Sequence, residues 1–436
     1  MQPAIIIGGG LTGLVAGERL AAAGVAARIF EREAEPGGAC RSLEADGFTF
    51  DYTGHLLHVA REETSSYLQE LGAWDELAVH ERRAAVVIGG CATPYPVQIN
   101  THGLAAEVRR DCLLGFVRAW AARDADAEPA DFREWVLERF GEGFAEHFFF
   151  PYNSKLYRAR PEELSLDWVG RYVPKPKLED VVDGALGLYR DPVGYNAVFR
   201  YPREGGIRQL PDAVARRAVG LELGREVRTV SLGERWLELT DGERVPWQKL
   251  LATTSLPAFV DSLVDELPPE VQAARAALRW VRVLNLALGV EGDAPSAEHW
   301  LYFPDPALPF YRVGFPSNHG RLAPDGHHTV SVELSLDPGA GDVEAAAAGA
   351  ESALVSAGLL DPAALRVRRV SVIDPAYVVF DHRRREAVAL LRGYLTERGV
   401  RLAGRWAEWK YSAMEDAILD GMRAARSLVR EAQDAP

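Results

Sequence analysis

Three glycines near the start of the chain have the spacing that binds a pyrophosphate. Gly8 permits a tight turn, Gly10 lets the backbone approach phosphate oxygens, and Gly13 allows a helix to pack closely against a strand. Glu31 follows about 20 residues later, where an acidic side chain is expected to accept hydrogen bonds from an adenosine ribose. The chemistry predicted here is the binding of an adenine dinucleotide.

The elements that must position these residues lie on either side of the turn. Ala4–Ile7 reads as a short apolar strand, Leu11 and Thr12 lie in the turn, and Leu14–Ala23 reads as a helix of small residues. A second strand, VAARIFE, ends at Glu31. The helix N-terminus would present free N–H groups to the phosphates. This order predicts an α/β fold with a Rossmann-like domain.

A second glycine pair, Gly37 and Gly38, follows the acidic residue, with Arg41 soon after. Nicotinamide enzymes do not need this pair, so the stretch favours FAD over NAD. It resembles the flavoprotein superfamily built like glutathione reductase and the amine oxidases. That resemblance implies that the loop wraps the flavin-side phosphate and the ribityl chain.

The chain is expected to return to the cofactor twice more. REVRTVSLGERWLELTDGERVPWQKLLATTSLP reads as a three-stranded meander with a hairpin at Asp241 and Gly242, followed by a buried strand. The superfamily resemblance implies that this segment lines the adenine, with Val227 as the contact.

The final return is the segment LAGRWAEWKYSAMED. We expect a short strand in VRLAG, and Ser412 with Glu415 fits an S-x-x-E capping box that opens the last helix. By the superfamily resemblance, this helix N-terminus points at the pyrimidine edge of the flavin, where its macrodipole favours negative charge by about 0.3–1 kcal/mol. The cofactor contacts expected here are Gly404, Arg405, Tyr411, Ser412 and Met414.

Composition and charge argue against several classes of partner. The 436 residues carry 49 basic and 63 acidic side chains, a formal net charge of −14, which argues against nucleic-acid and anionic-membrane partners. No apolar run approaches the roughly 20 residues of a membrane helix, and no leader-like segment precedes AIIIGGG, so we expect a cytoplasmic protein without membrane insertion. The cysteines and histidines lack ligand spacing, so no metal site is expected.

The segment between the first two regions expected to bind the cofactor has the apolar periodicity of helices. CLLGFVRAWAA and DFREWVLERF repeat apolar residues at helical spacing, and Asp131 with Glu134 resembles a helix start. Residues from about 275 to 365 look like strands plus one alanine-rich helix. We therefore expect a discontinuous Rossmann-like FAD-binding domain, an inserted helical domain and a β-sheet substrate domain. The expected boundaries are 1–80, 196–260 and 376–436 for the FAD-binding domain, 81–195 for a strand and the helical domain, and 261–375 for the β-sheet domain.

Six further motifs resemble one family in particular. TPYPVQIN, FPYNSKLY, DWVGRYV, HWLYFPDPALPFYR, DPAYVVFDHRRRE and GRWAEWKY occur in the order found in UDP-galactopyranose mutases, especially the eukaryotic type. The resemblance spans nearly the whole chain. In that family, reduced FAD attacks the anomeric carbon of the sugar through its N5 atom and expels UDP, and the opened sugar recloses with the other ring size. The resemblance implies an isomerase of UDP-sugars that works through this flavin N5–sugar adduct, with galactose as the default.

The same resemblance implies roles for individual residues. His55, in DYTGHLLH, matches the histidine loop over the flavin, and Tyr302 and Arg312 look like diphosphate ligands that complete the expected catalytic set. An arginine fork can hold a diphosphate, and tyrosine hydroxyls add neutral donors. The substrate contacts expected from the motifs are Tyr95, Gln98, Asn153, Tyr157, Arg171, Tyr302, Arg312, Tyr377 and Tyr411.

Several positions depart from the family pattern. Tyr172 stands where a substrate-binding arginine is usual, and Arg171 lies one position earlier. His319 replaces a tyrosine, Thr53 replaces a glycine, and Glu415 stands where asparagine is common. We therefore expect the nucleotide contacts to hold better than the sugar contacts, with UDP favoured over another nucleotide.

Two alternative functions stay open. A redox enzyme on the same scaffold, such as an amine oxidase or a protoporphyrinogen-oxidase-like desaturase, would take hydride from its substrate, and the fold alone does not separate it from a mutase. A non-catalytic FAD-stabilised binding module is the other. No second G-x-G-x-x-G appears, so NAD(P)H would bind transiently if it reduces the flavin, or another reductant serves. The sequence leaves the oligomeric state open.

Overall fold

The structure, a computed structural model, describes residues 2–124, 128–173, 175–188, 197–339 and 341–433, without the side chains of Arg171 and Tyr172. The strands in these ranges are β1 Ala4–Ile7, β2 Ala27–Phe30, β3 Ser42–Ala45, β4 Phe48–Asp51, β5 Leu77–Glu81, β6 Ala84–Ile88, β7 Cys91–Pro94, β8 Val198–Pro202, β9 Leu221–Glu222, β10 Val227–Ser231, β11 Trp236–Leu239, β12 Arg244–Pro246, β13 Leu250–Ala252, β14 Trp280–Glu291, β15 Trp300–Tyr302, β16 Arg312–Gly314, β17 His327–Leu336, β18 Leu365–Val378 and β19 Val400–Leu402. The α-helices are α1 Leu11–Ala22, α2 Glu62–Glu70, α3 Ala106–Ala121, α4 Phe132–Phe144, α5 Phe150–Tyr157, α6 Val169–Tyr172, α7 Leu178–Leu186, α8 Gln209–Ala215, α9 Leu256–Asp261, α10 Pro269–Ala277, α11 Val343–Ser356, α12 Arg384–Glu397 and α13 Met414–Gln433.

Five parallel strands form the sheet that carries the glycine turn. Their order is β19, β13, β1, β2 and β9, so distant parts of the chain meet in one sheet. Ile5 of β1 lies opposite Leu250 of β13 on one side and Arg28 of β2 on the other. The α/β class is confirmed. The carboxyl ends of these parallel strands share one edge of the sheet, which is where α/β proteins bind ligands.

A seven-stranded sheet carries several of the polar residues singled out in the sequence. Its order is β18, β14, β17, β16, β15, β6 and β7. Tyr302 ends β15, Arg312 begins β16, and Tyr377 lies near the end of β18. The strands β6 and β7, from the segment 81–195, also join this sheet, with β6 parallel to β15. The domain boundaries given above stay a prediction.

The helical region is built on the close approach of α3 and α4. Gly141 has a φ of +77°, and a Cβ on it would lie 2.1 Å from the carbonyl oxygen of Gly115, so a side chain would not fit. Asp131 caps α4, because its carboxylate accepts a hydrogen bond of 2.9 Å from the N–H of Glu134. The helix start predicted from Asp131 and Glu134 is therefore present.

Other predicted elements are also present. The strands β10, β11 and β12 form an antiparallel meander, and the buried strand β13 follows it. The alanine-rich helix is α11, and the strand expected in VRLAG is β19. Within the described ranges, none of the helices combines the length and apolarity needed to cross a membrane.

Candidate active site

Two adjoining clefts meet at the glycine turn. The first cleft, of about 1960 Å³, lies beside the end of β2 and the start of the meander, and Glu31 and Val227 line it. The second cleft, of about 1510 Å³, lies against the seven-stranded sheet, and its lining includes His55 and Arg312. Residues common to both linings are Gly10, Gly38, Ala39, Thr253, Ile373 and Trp406. The two clefts therefore adjoin at the turn, the arrangement that an extended dinucleotide requires.

The glycine turn leaves the start of α1 open to this path. A Cβ on Gly13 would lie 2.0 Å from the carbonyl oxygen of Gly8, so a side chain is excluded there. A Cβ on Gly10 would meet only the Cα of Gly38, at 3.9 Å, and both glycines line both clefts. No side chain caps α1, so its first N–H groups remain available to an anion.

The acidic residue predicted for the ribose lies at the rim of the first cleft. The carboxylate of Glu31 is buried and accepts hydrogen bonds from the N–H groups of Gly9, at 2.6 Å, and Glu33, at 2.9 Å. The guanidinium of Arg41 pairs with Glu33 at 3.0 Å and donates to the carbonyl oxygen of Gly38 at 2.9 Å. Arg41 thereby fixes the second glycine pair beside the turn.

Most of the predicted cofactor contacts line one of the two clefts. The first cleft takes Gly8, Gly10, Glu31, Gly38, Arg41 and Val227. The second takes Gly10, Leu11, Thr12, Gly37, Gly38, His55, Gly404, Arg405, Tyr411, Ser412 and Met414. Gly13 lies in α1, where it permits the close packing just described. Their contacts with a cofactor stay predictions.

Arg312 is held by a buried carboxylate that the sequence analysis missed. Glu333 is 2% exposed, and its oxygens accept from Arg312 Nη2 at 2.6 and 2.7 Å and from Nε at 3.1 Å. The same carboxylate accepts from the hydroxyls of Thr53 and Tyr311, each at 2.7 Å, and from the N–H of Gly54 at 3.2 Å. The charge of Arg312 and these donors hold the pKa of Glu333 below its usual value despite burial. Glu333 is therefore ionised at neutral pH.

Tyrosines form the wall around this ion pair. The ring of Tyr302 lies 5.1 Å from that of Tyr95, and the rings of Tyr377 and Tyr411 stack at 6.3 Å. The guanidinium of Arg405 lies 5.1 Å from the Tyr377 ring and 5.0 Å from the Tyr411 ring. Burial raises the pKa of Tyr377 to about 12 and also raises the pKa of Tyr302 and Tyr95. These three hydroxyls are therefore protonated donors at neutral pH.

His55 is a neutral ring at neutral pH. Burial and the positive charge of Arg405 lower the pKa of His55 to about 4. Its Nδ1 atom is buried and has no hydrogen-bond partner within the described residues. A buried polar atom of this kind in a cleft wall is suited to contact a bound group.

The start of α13 differs from the predicted capping box. The helix begins at Met414, so Asp416 rather than Glu415 occupies its third position and accepts from the N–H of Ala413 at 2.8 Å. Glu415 instead accepts from the N–H groups of Ala60 and Arg61, at 2.9 and 2.8 Å. The box was wrong by one residue because the chain enters the helix one position later than the S-x-x-E pattern requires.

That shift leaves the hydroxyl of Ser412 available. Its Oγ is buried, lines the second cleft and has no hydrogen-bond partner in the part of the chain described. The carbonyl of Ser412 accepts from Arg405 Nη1 at 2.7 Å, which fixes the approach to the helix. The N-terminus of α13 thus faces the second cleft with an unused donor in front of it.

Four predicted substrate contacts, Tyr95 among them, are absent from the linings of both clefts. Gln98 is buried, Asn153 donates to the carbonyl of Phe149 at 2.8 Å, and Tyr157 packs against Trp168 with ring centroids 5.2 Å apart. Their roles as nucleotide contacts stay predictions. Arg171 lies in α6, and its side chain is outside the described part of the chain.

Comparison with known proteins places this architecture in a family. The sequence profile of the flavin-containing amine oxidoreductases matches residues 11–429. The chain belongs to that family. The flavin assignment also fits the site, because the glycine turn and the uncapped start of α1 lie where the two clefts adjoin.

The similar proteins include two that are named as mutases and one that is named as an oxidase. The solved structure of a reduced UDP-galactopyranose mutase is similar with a TM-score of 0.92 at 26% identity, covering 100% of this chain and 97% of that one. A "Probable UDP-galactopyranose mutase" of Klebsiella pneumoniae is 26% identical over 37% of this chain and 42% of its own length. Protoporphyrinogen oxidase 2 of Arabidopsis thaliana is 21% identical over 52% of this chain and 49% of its own length. The chain thus matches less than half of each of these two curated relatives, whereas the structural likeness spans both chains.

Proposed function

We propose that this protein is an FAD-dependent mutase that interconverts the pyranose and furanose forms of a UDP-sugar, with UDP-galactose as the default substrate. The observation that carries the proposal is the polar wall of the second cleft, formed by Tyr302, Tyr377 and Tyr411 around Arg312. An oxidase of an apolar donor would need apolar side chains there. The extensive likeness to a reduced UDP-galactopyranose mutase supports the same reading.

The proposed cofactor is FAD, active in its reduced form. Glu31 and Val227 would hold its adenosine, the start of α1 its diphosphate, and Arg405, Ser412 and the start of α13 its flavin end. Reduced flavin would supply the nucleophile for the anomeric carbon of the sugar. NAD(P)H that binds transiently, or another reductant, would supply the electrons that reduce the flavin.

The side chains of this protein would bind and orient the nucleotide sugar. Arg312 Nη1 has no hydrogen-bond partner among the described residues, so it can donate to a diphosphate oxygen. The protonated hydroxyls of Tyr302 and Tyr377 would add donors that carry no charge. Neutral His55 would cover the flavin face without placing a second cation beside Arg405.

The test is isomerisation by the holoenzyme under anaerobic conditions. The protein is reduced with dithionite and incubated with UDP-galactofuranose and a panel of other nucleotide sugars, and the isomers are separated by chromatography. Interconversion by the reduced form alone is the expected result. Absence of interconversion across the panel, in protein whose flavin is fully reduced, would refute the proposal.

A second candidate is an FAD-dependent oxidoreductase of the amine oxidase or protoporphyrinogen oxidase type. The family profile and the Arabidopsis relative favour it. Its signature is different, because an amine or a porphyrinogen would bleach the oxidised flavin and molecular oxygen would restore the colour. Bleaching without isomerisation would decide for this candidate.

A further inference from the structure

The positive charge of Arg312, the arginine proposed to hold the diphosphate, is balanced by Glu333. Arg312 and Glu333 face each other across the β16–β17 pair, where they occupy directly opposite positions. Two guanidinium nitrogens, Nε and Nη2, are taken up by the carboxylate. Arg312 lines the second cleft, its Nη1 has no hydrogen-bond partner among the described residues, and its positive charge is already compensated.

The carboxylate is fixed there by more than the arginine. Thr53 and Gly54 donate to one oxygen of Glu333, and Tyr311 donates to the other. Hydrogen bonds to a buried carboxylate stabilise its charged form, so the negative charge persists beside Arg312. Thr53 is one of the positions at which the sequence departs from the mutase pattern, so this chain carries an additional donor to the carboxylate.

We propose that Glu333 is a resident counter-anion that limits the affinity of Arg312 for the diphosphate and so allows UDP to leave and be recaptured in every turnover. This inference rests on the proposed function, because it takes the leaving group to be a diphosphate. A diphosphate at Nη1 would lie within several ångströms of the carboxylate of Glu333. Two like charges at such a separation repel appreciably in a partly buried site, where the effective dielectric constant is about 20.

The decisive variant is Glu333→Gln, which keeps the shape of the side chain and removes its charge. UDP should bind this variant about tenfold more tightly, since one repulsive charge is gone and Arg312 stays cationic. The kcat of isomerisation should fall, because the product, which keeps its UDP group, is released more slowly. A carboxylate that only supports the fold would instead give weaker UDP binding when it is neutralised.

The matched control is Glu18→Gln. Glu18 is also buried and also holds an arginine through two nitrogens, Arg19 Nε and Nη2, at 2.5 and 2.6 Å. It lies on α1 outside the linings of both clefts. UDP affinity should change less than about threefold in this variant, which separates a local charge effect from a general cost of neutralising a buried pair.

A double variant provides a second test if Glu333→Gln folds poorly. Replacing the whole pair, Arg312→Leu with Glu333→Leu, removes no net charge, and such replacements of buried ion pairs are often tolerated. Because only the Nη1 hydrogen bond to a charged group is lost, about 1.5–3 kcal/mol, UDP binding should weaken by about tenfold to a hundredfold. A loss above about a hundredfold would show that Arg312 acts as an uncompensated cation and would overturn the inference.

The measurements are isothermal titrations of flavin-replete protein with UDP and, separately, with inorganic pyrophosphate. Failure of the wild-type protein to bind UDP would count against the proposed function alone, since pyrophosphate still tests the Arg312 edge. Tighter binding of either ligand by Glu333→Gln supports the inference. Unchanged or weaker binding of both ligands by a flavin-replete Glu333→Gln protein overturns it.

Discussion

Gly10→Val should yield a folded protein that does not retain FAD. Gly10 precedes α1 with φ −72° and ψ 174°, an extended conformation that valine adopts readily. The nearest atom to a Cβ at this position is the Cα of Gly38, at 3.9 Å, so the protein itself accommodates the side chain. The methyl groups would instead occupy the junction of the two clefts, where the cofactor diphosphate must approach the start of α1.

The expected loss can be estimated from the contacts that would be blocked. A hydrogen bond from a backbone N–H to a charged phosphate contributes about 1.5–3 kcal/mol. Blocking two such bonds at the start of α1 costs about 3–6 kcal/mol of binding free energy, or roughly a hundredfold to ten-thousandfold in Kd. The cost to folding is much smaller, about 1 kcal/mol, because valine only replaces glycine at an N-cap position.

The assay is the ratio of flavin to protein absorbance after purification, followed by titration of the apoprotein with FAD. Gly349→Val is the matched control, because Gly349 lies in α11 and a Cβ there meets no other atom within 4 Å. Gly13→Val should behave differently again and fail to fold, given the 2.0 Å approach to the carbonyl of Gly8. A Gly10→Val protein with wild-type FAD content and affinity would refute the placement of the diphosphate.

Three further outcomes follow from the structure. Ser412→Ala should leave the Tm of the apoprotein unchanged and weaken FAD binding by about 0.5–1.5 kcal/mol, whereas loss of a true helix cap would lower apoprotein stability by about 1 kcal/mol. Arg312→Ala should lower the free energy of unfolding in urea by about 3–5 kcal/mol, because Glu333 is left buried and unpaired, and a loss below about 1 kcal/mol would contradict the pairing. Burial lowers the pKa of His299 to about 4 and that of His319 to about 3, so the unfolded chain binds more protons than the folded one below about pH 6.5. The contribution of these two neutral rings to stability is full above that pH and should be lost progressively toward pH 4. His319→Phe should reduce that acid slope by as much as about 1.4 kcal/mol per pH unit, and an unchanged slope would count against a buried neutral ring.

Local signals predicted the parts of the fold that local physics determines. The glycine turn, the meander with its hairpin and the Asp131 cap each depend on residues within a few positions of one another, and each is present. The capping box at Ser412 depends on the residue at which a helix begins, and it was misplaced by one position. Element boundaries are set by tertiary packing as well as by sequence, so such shifts are expected.

The contact between Glu333 and Arg312 was not predicted because it depends on the pairing of two strands. Glu333 meets Arg312 only because β16 and β17 pair in one register, and no local pattern states that register. A signal was nevertheless present in the segment SVELSL, where a single acid interrupts an otherwise apolar and hydroxyl-bearing strand. A carboxylate buried in a strand requires a compensating partner, so the pattern predicts a partner without identifying it.

The protonation states of the second cleft bear on the choice between a mutase and an amine oxidase. His55 is neutral, Tyr302 and Tyr377 are protonated, and Arg312 is compensated by Glu333. Arg405, by contrast, has no carboxylate partner within the described ranges, so its positive charge acts on the cleft. A protonated amine would be repelled by that charge, whereas an anionic nucleotide and an anionic reduced flavin would be attracted. The electrostatics of the cleft therefore favour the anionic substrate even though the family takes its name from amine oxidation.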